Sequence, residues 1–249
     1  MNGARAHQGF GTGREAPGQA REPEEGEPEN ERAPGAESVD DPAISLRAIA
    51  REMGMTAGAL YGYYATRDDL INALIAEVYS SLADAEEAAR DAVPAEDPVG
   101  RVLAVGEAFR HWAIGRPEEF QLIYGDPVPG YQAPEGGAAA EAEHRACAVL
   151  TGLVAAAWPQ ARNLLSDSDY AWSDFEPGFT AVIKESFPDL PPAAVALAMR
   201  VWGRMHGLVA LEVYGHLRPQ VRDPAKLYRA ELLDLTTTLG LTSPTKRPT

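Results

Sequence analysis

The chain is poor in cysteine and in basic residues. Its 249 residues include one cysteine, Cys147, which excludes an internal disulfide framework and a zinc site built from several cysteines. Lys and Arg number 22 against 37 Asp and Glu, a formal net charge of -15. This balance argues against a protein that coats nucleic acid or a membrane surface through bulk charge. The same charge balance still allows a protein that recognises nucleic acid through a small, less acidic surface.

Long apolar runs are also lacking. The longest apolar region, residues 190–217, is interrupted by Arg200, Arg204 and Glu212, and the first 30 residues hold no apolar run that resembles a secretory signal. We therefore expect a soluble protein of a reducing compartment, the cytoplasm. The sequence has no nucleophile elbow, phosphate-binding loop or His-Glu-x-x-His motif, and no histidine pair at helical spacing. It predicts no enzyme, no metal site and no cofactor.

Residues 1–42 differ in composition from the rest of the chain. They contain seven Gly, five Pro and ten Asp or Glu against four Arg, so their net charge is -6. Such a segment has little to bury, and it predicts a disordered, acidic, Gly/Pro-rich extension. An acidic interaction tail and a purely solvated extension both fit this composition.

From Ala43 onward apolar residues recur at three- and four-residue spacing, and alternating strand patterns flanked by hairpin turns are absent. The predicted fold class is all-α. Thr66 and Asp69 form a capping-box pattern that opens a long helix. Predicted helices cover about 46–53, 56–64, 98–115, 117–124, 138–157, 177–186, 191–217 and 223–239. Segments 125–137 and 159–177 are predicted loops.

Residues 45–64 have the pattern of a helix-turn-helix. A short amphipathic helix ends at Gly54, and a second helix begins at Thr56, a good N-cap residue. In such a motif the second helix presents its N-terminal residues to a DNA major groove. By spacing alone, such a pattern more often belongs to two packed helices with no DNA-binding role.

The identities of the residues in this segment favour the DNA-binding interpretation. Three short patterns within residues 43–75 resemble the TetR-type (tetracycline-repressor-like) transcriptional regulators. They are S-L-R-A-I-A-x-x-x-G, T-x-G-A-L-Y-x-Y-Y and T-R-x-x-L. After the extension over 1–42, the resemblance implies a helix-turn-helix DNA-binding domain over 43–90 and a ligand-binding and dimerisation domain over 91–249. Trp202-x-x-x-His206-Gly207 resembles a Trp-His-Gly element of one branch of that family.

The resemblance also implies DNA-binding roles. Arg47 would contact the DNA backbone or a base edge, Thr56 would cap the recognition helix, and Tyr61 and Tyr63 would place their hydroxyls on phosphates. The base-facing residues lack a bidentate donor, so specificity would depend on Arg47 and on DNA shape. The complete predicted DNA-binding set is Ser45, Arg47, Thr56, Ala57, Gly58, Ala59, Tyr61, Tyr63 and Arg67.

In the C-terminal half, aromatic and Met side chains cluster on predicted helices, as in a cavity for a small hydrophobic ligand. The predicted ligand-binding residues are Trp112, Phe120, Tyr124, Met199, Trp202 and His206. Core packing is the alternative for each of them, and His206 could bond either a ligand or a backbone carbonyl. Gly203, Gly207 and Gly215 mark a face of helix 191–217 that another helix could approach. By the resemblance, that helix and helix 223–239, with Leu227, Leu232, Leu235 and Leu239, form a homodimer bundle.

Together these features predict a one-component, ligand-responsive regulator, acting as a repressor, that binds operator DNA as a homodimer. One feature opposes DNA binding. TetR-type heads have a further helix upstream of the motif, and residues 15–42 hold five prolines and ten acids, which are incompatible with a helix there. Residues 43–80 carry three Arg and four acids, net -1. The alternative prediction is therefore a ligand-binding helical dimer that has lost DNA binding, and a misassigned start of the gene would explain it.

Overall fold

The computed structural model describes residue 54 and residues 56–134, 136–165 and 168–241. Within them the chain forms eight α-helices and two 3-10 helices, with no strand. The α-helices are α1 (Ala57–Tyr61), α2 (Arg67–Asp91), α3 (Pro98–Gly115), α4 (Pro117–Tyr124), α5 (Ala138–Ala161), α6 (Pro177–Ser186), α7 (Pro192–Val213) and α8 (Pro224–Thr238). The all-α prediction is confirmed. The predicted helix over 46–53 and the extension over 1–42 lie outside the described residues.

Local sequence explains most helix starts. The capping box of α2 is formed as predicted: the Asp69 N–H donates to Thr66 Oγ1 at 3.1 Å, and the Thr66 N–H donates to Asp69 Oδ2 at 2.9 Å. Asp97 and Asp223 cap α3 and α8 through the N–H groups of Gly100 and Lys226. Proline occupies the first position of α3, α4, α6, α7 and α8, where its missing N–H costs nothing.

Three predicted boundaries are corrected. Helix α1 ends at Tyr61 rather than at residue 64. Helix α5 continues through Pro159 to Ala161, and the following segment, predicted as a loop, contains 3-10 helices at Arg162–Leu165 and Trp172–Asp174. Helix α7 ends at Val213 rather than at residue 217. Gly215 lies beyond its end with φ of 78°, so it terminates the helix instead of continuing the Gly203–Gly207 face.

Helix α2 is the central element of the core. It packs most extensively against α5 and α3, while α7 and α8 pack against α3 and against each other. Phe120, Leu82, Val105, Leu197 and Leu232 are completely enclosed in this core. At Gly106, α3 and α8 approach so closely that a Cβ would overlap the Leu232 side chain. Leu232, Leu235 and Leu239, predicted for a dimer bundle, are thus buried within one chain, whereas Leu227 is exposed.

Ion pairs link the helices around this core. Arg110 on α3 donates two hydrogen bonds to Glu212 on α7, at 2.8 and 2.6 Å, and both side chains are largely buried. Arg204 on α7 bonds to Glu231 and Asp234 on α8. None of the described helices is both long enough and apolar enough to cross a membrane.

Candidate functional site

The reading head, the described part of the helix-turn-helix (residues 54 and 56–66), has the turn and cap that its sequence predicts. Gly54 has φ of 66°, a left-handed conformation that side chains other than glycine rarely adopt. The Ala59 N–H donates to Thr56 Oγ1 at 3.2 Å, so Thr56 caps the short helix α1. The Thr56 hydroxyl oxygen is therefore engaged within the chain.

The predicted DNA-facing side of the reading head is open to solvent. Tyr63 is 80% exposed and Tyr61 is 44% exposed, and Gly58 and Ala59 are exposed beside them. Tyr64 is only partly exposed. Ala57 begins α1, while Ser45 and Arg47 lie outside the described residues. Two phenols are thus available to an extended polar partner.

Arg67 has partners inside the chain. Its Nη2 donates to the carbonyl oxygen of Pro129 at 2.9 Å, and its guanidinium lies 3.6 Å from Asp68. The loop that carries Pro129 also contacts α2 through Tyr131, whose hydroxyl lies 3.5 Å from Asn72 Oδ1. Arg67 therefore ties the start of α2 to segment 125–137. Its predicted phosphate contact would have to share the guanidinium with these groups.

The body of the protein contains a cavity of about 250 Å³ between α2, α5 and α7, closed in part by α3, α4 and α6. Most of its wall is apolar or aromatic. The lining residues are Tyr79, Leu82, Glu86, Phe109, Tyr124, Glu143, Ala146, Cys147, Leu150, Thr151, Phe179, Ala198, Met199, Trp202 and Met205. A largely apolar pocket with a few polar groups is the usual form of a small-molecule site.

Three of the six predicted ligand-binding residues, Tyr124, Met199 and Trp202, line this cavity. Trp112 and Phe120 do not: Trp112 is buried in the core with its indole N–H donating to Ser81 Oγ at 3.2 Å, and Phe120 is fully enclosed. These two side chains contribute to the packing behind the cavity.

His206 lies just behind the wall. Its ring stacks on Phe120 with centroids 5.3 Å apart and contacts Tyr124 at 4.7 Å and Trp202 at 5.0 Å. Burial lowers its pKa, which favours the neutral ring. The Nδ1 atom of His206 is buried and has no hydrogen-bond partner among the described residues. The predicted hydrogen bond to a backbone carbonyl is therefore not formed through that atom. It supports the two aromatic side chains that do reach the cavity.

Sequence reasoning missed the acidic part of the wall, formed by Glu86 on α2 and Glu143 on α5. A detectable signal exists: Tyr79, Leu82 and Glu86 follow one another at three- and four-residue spacing, so a carboxyl interrupts the buried face of α2. Cys147 as a residue is exposed to solvent, but desolvation of its thiol where it lines the cavity, then Glu143 and Glu86, raise the pKa of that thiol to about 11. The thiol is therefore protonated and a poor nucleophile near neutral pH.

One face of α7 has no neighbour among the residues that the structure describes. A Cβ built on Gly203 or on Gly207 would meet no atom within 4 Å. Leu211 on the same helix and Leu227 and Leu233 on α8 are exposed large apolar side chains. This end of the protein presents apolar surface that a further helix could cover.

A capped reading-head helix is followed along the chain by a helical body with a cavity. Models of known protein families match the chain in the same order. The model of the tetR family of bacterial regulatory proteins matches residues 42–74, and that of the tetracyclin repressor-like C-terminal domain matches residues 102–235, more than half of the chain. The chain belongs to the TetR family. TetR-family proteins are DNA-binding regulators and not enzymes, as the sequence predicted.

Named relatives support this assignment. The HTH-type transcriptional regulator Rv1816 of Mycobacterium tuberculosis (strain ATCC 25618 / H37Rv) is 34% identical over 190 residues, which cover 76% of this chain and 80% of the relative. The regulator Mb1846 of Mycobacterium bovis matches equally well. Among solved structures, the crystal structure of the regulatory protein SCO4313 is similar, with 33% identity, a TM-score of 0.58, and coverage of 78% of this chain and 85% of that chain.

A structure of a protein with unknown function from Rhodococcus sp. RHA1 has the same fold at 20% identity, with a TM-score of 0.52 over 79% of this chain and 83% of that chain. The family model of the C-terminal domain, over residues 102–235, extends the relationship to the TetR family over the body of the protein. The assignment of this chain to a particular branch of the family, from the Trp202-His206-Gly207 element, stays a prediction.

Proposed function

We propose that this TetR-family chain is a one-component, ligand-responsive repressor that binds operator DNA as a homodimer. In this proposal residues 43–90 supply the DNA-binding domain and residues 91–249 the ligand-binding and dimerisation domain. The exposed phenols of Tyr61 and Tyr63 contact phosphates, and the open α7 face is covered by a second copy. The effector is a small molecule that occupies the cavity.

The observation that carries the proposal is the course of α2. This one helix begins at the capping box directly after the reading head and reaches the cavity wall at Tyr79, Leu82 and Glu86. From Arg67 to Glu86 it rises about 28 Å, at 1.5 Å per residue. A ligand-induced tilt of about 5° would move the reading head by about 2.5 Å over that length.

Such a displacement is sufficient for induction. Paired reading heads must lie about one helical turn of DNA apart, roughly 34 Å, to enter successive major grooves. A ligand that favours a different separation of the heads shifts the population away from the DNA-bound form. The repressor then releases its operator without any large rearrangement of the core.

The test is selection of DNA sequences by the purified full chain, followed by binding titrations at several salt concentrations. Tyr61→Phe and Arg47→Ala should each weaken binding to the selected operator, by about 1–3 kcal/mol where Arg47 reads a base. Tyr170→Phe is the matched control, because Tyr170 is an equally exposed tyrosine outside the reading head. Operator binding equal to that of the parent in both reading-head variants would contradict the assigned DNA-binding surface.

A second function is favoured by the charge of the reading head together with the first turns of α2. Between Thr56 and Ile75 the described residues carry Arg67 against Asp68 and Asp69, and Arg67 is already bonded to Pro129. Few counterions would be released from DNA by such a surface. A ligand-binding helical dimer without DNA binding is the corresponding alternative. Failure of the full chain to enrich any sequence at low salt would support it.

A further inference from the structure

The cavity wall contains a carboxyl group without a partner. Glu86 is 7% exposed, and no hydrogen bond or ion pair to its carboxyl is formed by any of the described residues. Its sequence neighbour Glu87 is engaged elsewhere, since Arg145 on α5 donates to Glu87 at 2.9 Å and to Asp84 at 2.7 Å. The nearby guanidinium is thus committed to other carboxylates.

The other titratable groups of the cavity offer Glu86 no compensation. Glu143, Cys147, Tyr79 and Tyr124 are acids, and the cavity lining as described includes no Lys, Arg or His. Burial above all raises the pKa values of Tyr79 and Tyr124, with Glu143 acting in the same direction. Outside the wall, Tyr228 lies near Glu86, and Arg110 beside it is paired with Glu212.

An unpaired carboxyl in such surroundings keeps its proton. Burial, together with the neighbouring Glu87, raises the pKa of Glu86 to about 8. At neutral pH only about a tenth of the empty protein carries this charge. A ligand with an anionic group would find no cation in the wall and would meet two carboxyl groups.

Aromatic rings complete the site. Tyr124 lies edge-on to Tyr79 with centroids 6.2 Å apart, and it is 6.3 Å from Phe109 and 6.3 Å from Trp202. All four rings line the same cavity as Glu86. Ring faces attract organic cations, most strongly when water is excluded, and a carboxylate in the same space adds direct charge pairing.

We propose that the effector of this cavity is a lipophilic organic cation, an amine or quaternary ammonium compound whose charge pairs with Glu86 and whose apolar part lies against the aromatic wall. This inference rests on the ligand-binding role given to the cavity above. It names the chemical class of the ligand and the residue that selects it.

The pairing makes binding depend on pH. The cation binds the ionised form of Glu86, so each binding event at a pH below about 8 releases the proton that the empty site holds. Affinity for a permanent cation should rise about tenfold per pH unit toward pH 8 and level off above it. A neutral ligand of the same shape should show no such rise.

The experiment compares benzyltrimethylammonium with its neutral carbon isostere, neopentylbenzene, by tryptophan fluorescence titration of the full chain between pH 6 and pH 9. The parent should prefer the cation about tenfold or more at pH 8.5 and lose most of that preference at pH 6. Glu86→Gln should remove most of the preference and its rise with pH while it still binds the isostere, and the aromatic wall accounts for the remaining preference. Glu87→Gln is the matched control, since that carboxylate bonds Arg145 outside the cavity. It should keep the preference at pH 8.5, and because Glu87 helps to raise the pKa of Glu86, its affinity should level off at a somewhat lower pH than that of the parent.

The outcomes separate this inference from the proposed function. Binding of the isostere alone, or an unchanged preference in Glu86→Gln, would overturn the cation class and leave the ligand cavity standing. Binding of neither probe at any pH would overturn the cavity as a ligand site and this inference with it. Glu86→Asp, which restores the charge on a shorter side chain, should recover the preference in part, and circular dichroism of each variant confirms that it is folded. DNA takes no part in the assay, so loss of operator binding does not affect the result.

Discussion

Replacing Gly203 with leucine tests whether a second copy of the chain covers the open face of α7. In a single copy the new side chain has room, because a Cβ at this position meets no atom within 4 Å. Leucine also favours a helix interior over glycine by about 0.8 kcal/mol. The isolated protomer should therefore fold at least as stably as the parent.

In a homodimer packed on this face the effect is reversed. Overpacking an interface costs about 1–3 kcal/mol at each site, and two-fold symmetry places the substitution there twice. The expected loss of about 2–6 kcal/mol of dimerisation free energy corresponds to an increase in the dimer dissociation constant by a factor between about 30 and more than about 10,000. Sedimentation velocity over a range of concentrations measures this constant, and circular dichroism on the same samples follows the folded state.

Gly178→Leu provides the matched control for the Gly203 prediction. Gly178 is an exposed helical glycine on α6 whose Cβ would also meet no atom within 4 Å. This variant should dissociate at the same concentration as the parent. A Gly203→Leu protein that stays as dimeric as the parent would show that α7 does not pack against a partner at this point. Unfolding of the variant at low concentration would show that the face is not open.

Three further predictions concern the cavity and the core. Trp202→Ala should change the response to a hydrophobic ligand. It should lower the free energy of unfolding by well under the roughly 3–5 kcal/mol expected for a fully buried tryptophan, because Trp202 is 40% exposed. Thermal unfolding with and without ligand measures both effects, and early melting with unchanged ligand binding would contradict the role of Trp202 in the pocket. Arg110→Met should destabilise the fold by about 3–5 kcal/mol in urea unfolding, since it leaves the largely buried Glu212 unpaired. Adding Glu212→Met should recover most of this loss. Glu86→Gln should be more stable than the parent at pH 8. The folded pKa of about 8 lies above the ordinary value of 4.5, so the parent loses up to about 1.4 kcal/mol per pH unit as pH rises between these values. A difference in stability that does not grow with pH over this range would refute the raised pKa.

Features encoded within a few residues were predictable. Thr66 and Asp69 specify the start of α2, and Asp97 followed by Pro98 specifies the start of α3, because caps and first-turn prolines act over three or four positions. The helix-turn-helix resemblance has the same origin, since the turn at Gly54 and the cap at Thr56 are local. The all-α class and the TetR family followed from such segments.

Contacts between distant segments were not predictable in this way. Glu86 would pass for a solvated residue of a helix, and it becomes a binding group only because α5 and α7 enclose the face of α2 on which it lies. Arg67 was expected to be available for a phosphate, yet the loop 62 residues away supplies the Pro129 carbonyl that engages it. Leu232 was assigned to a partner helix but packs at Gly106 within the chain, while the Gly203 face stays open. Helical periodicity shows which residues share a face, but the element that covers this face depends on how the helices pack together, and a single helix carries no record of that packing.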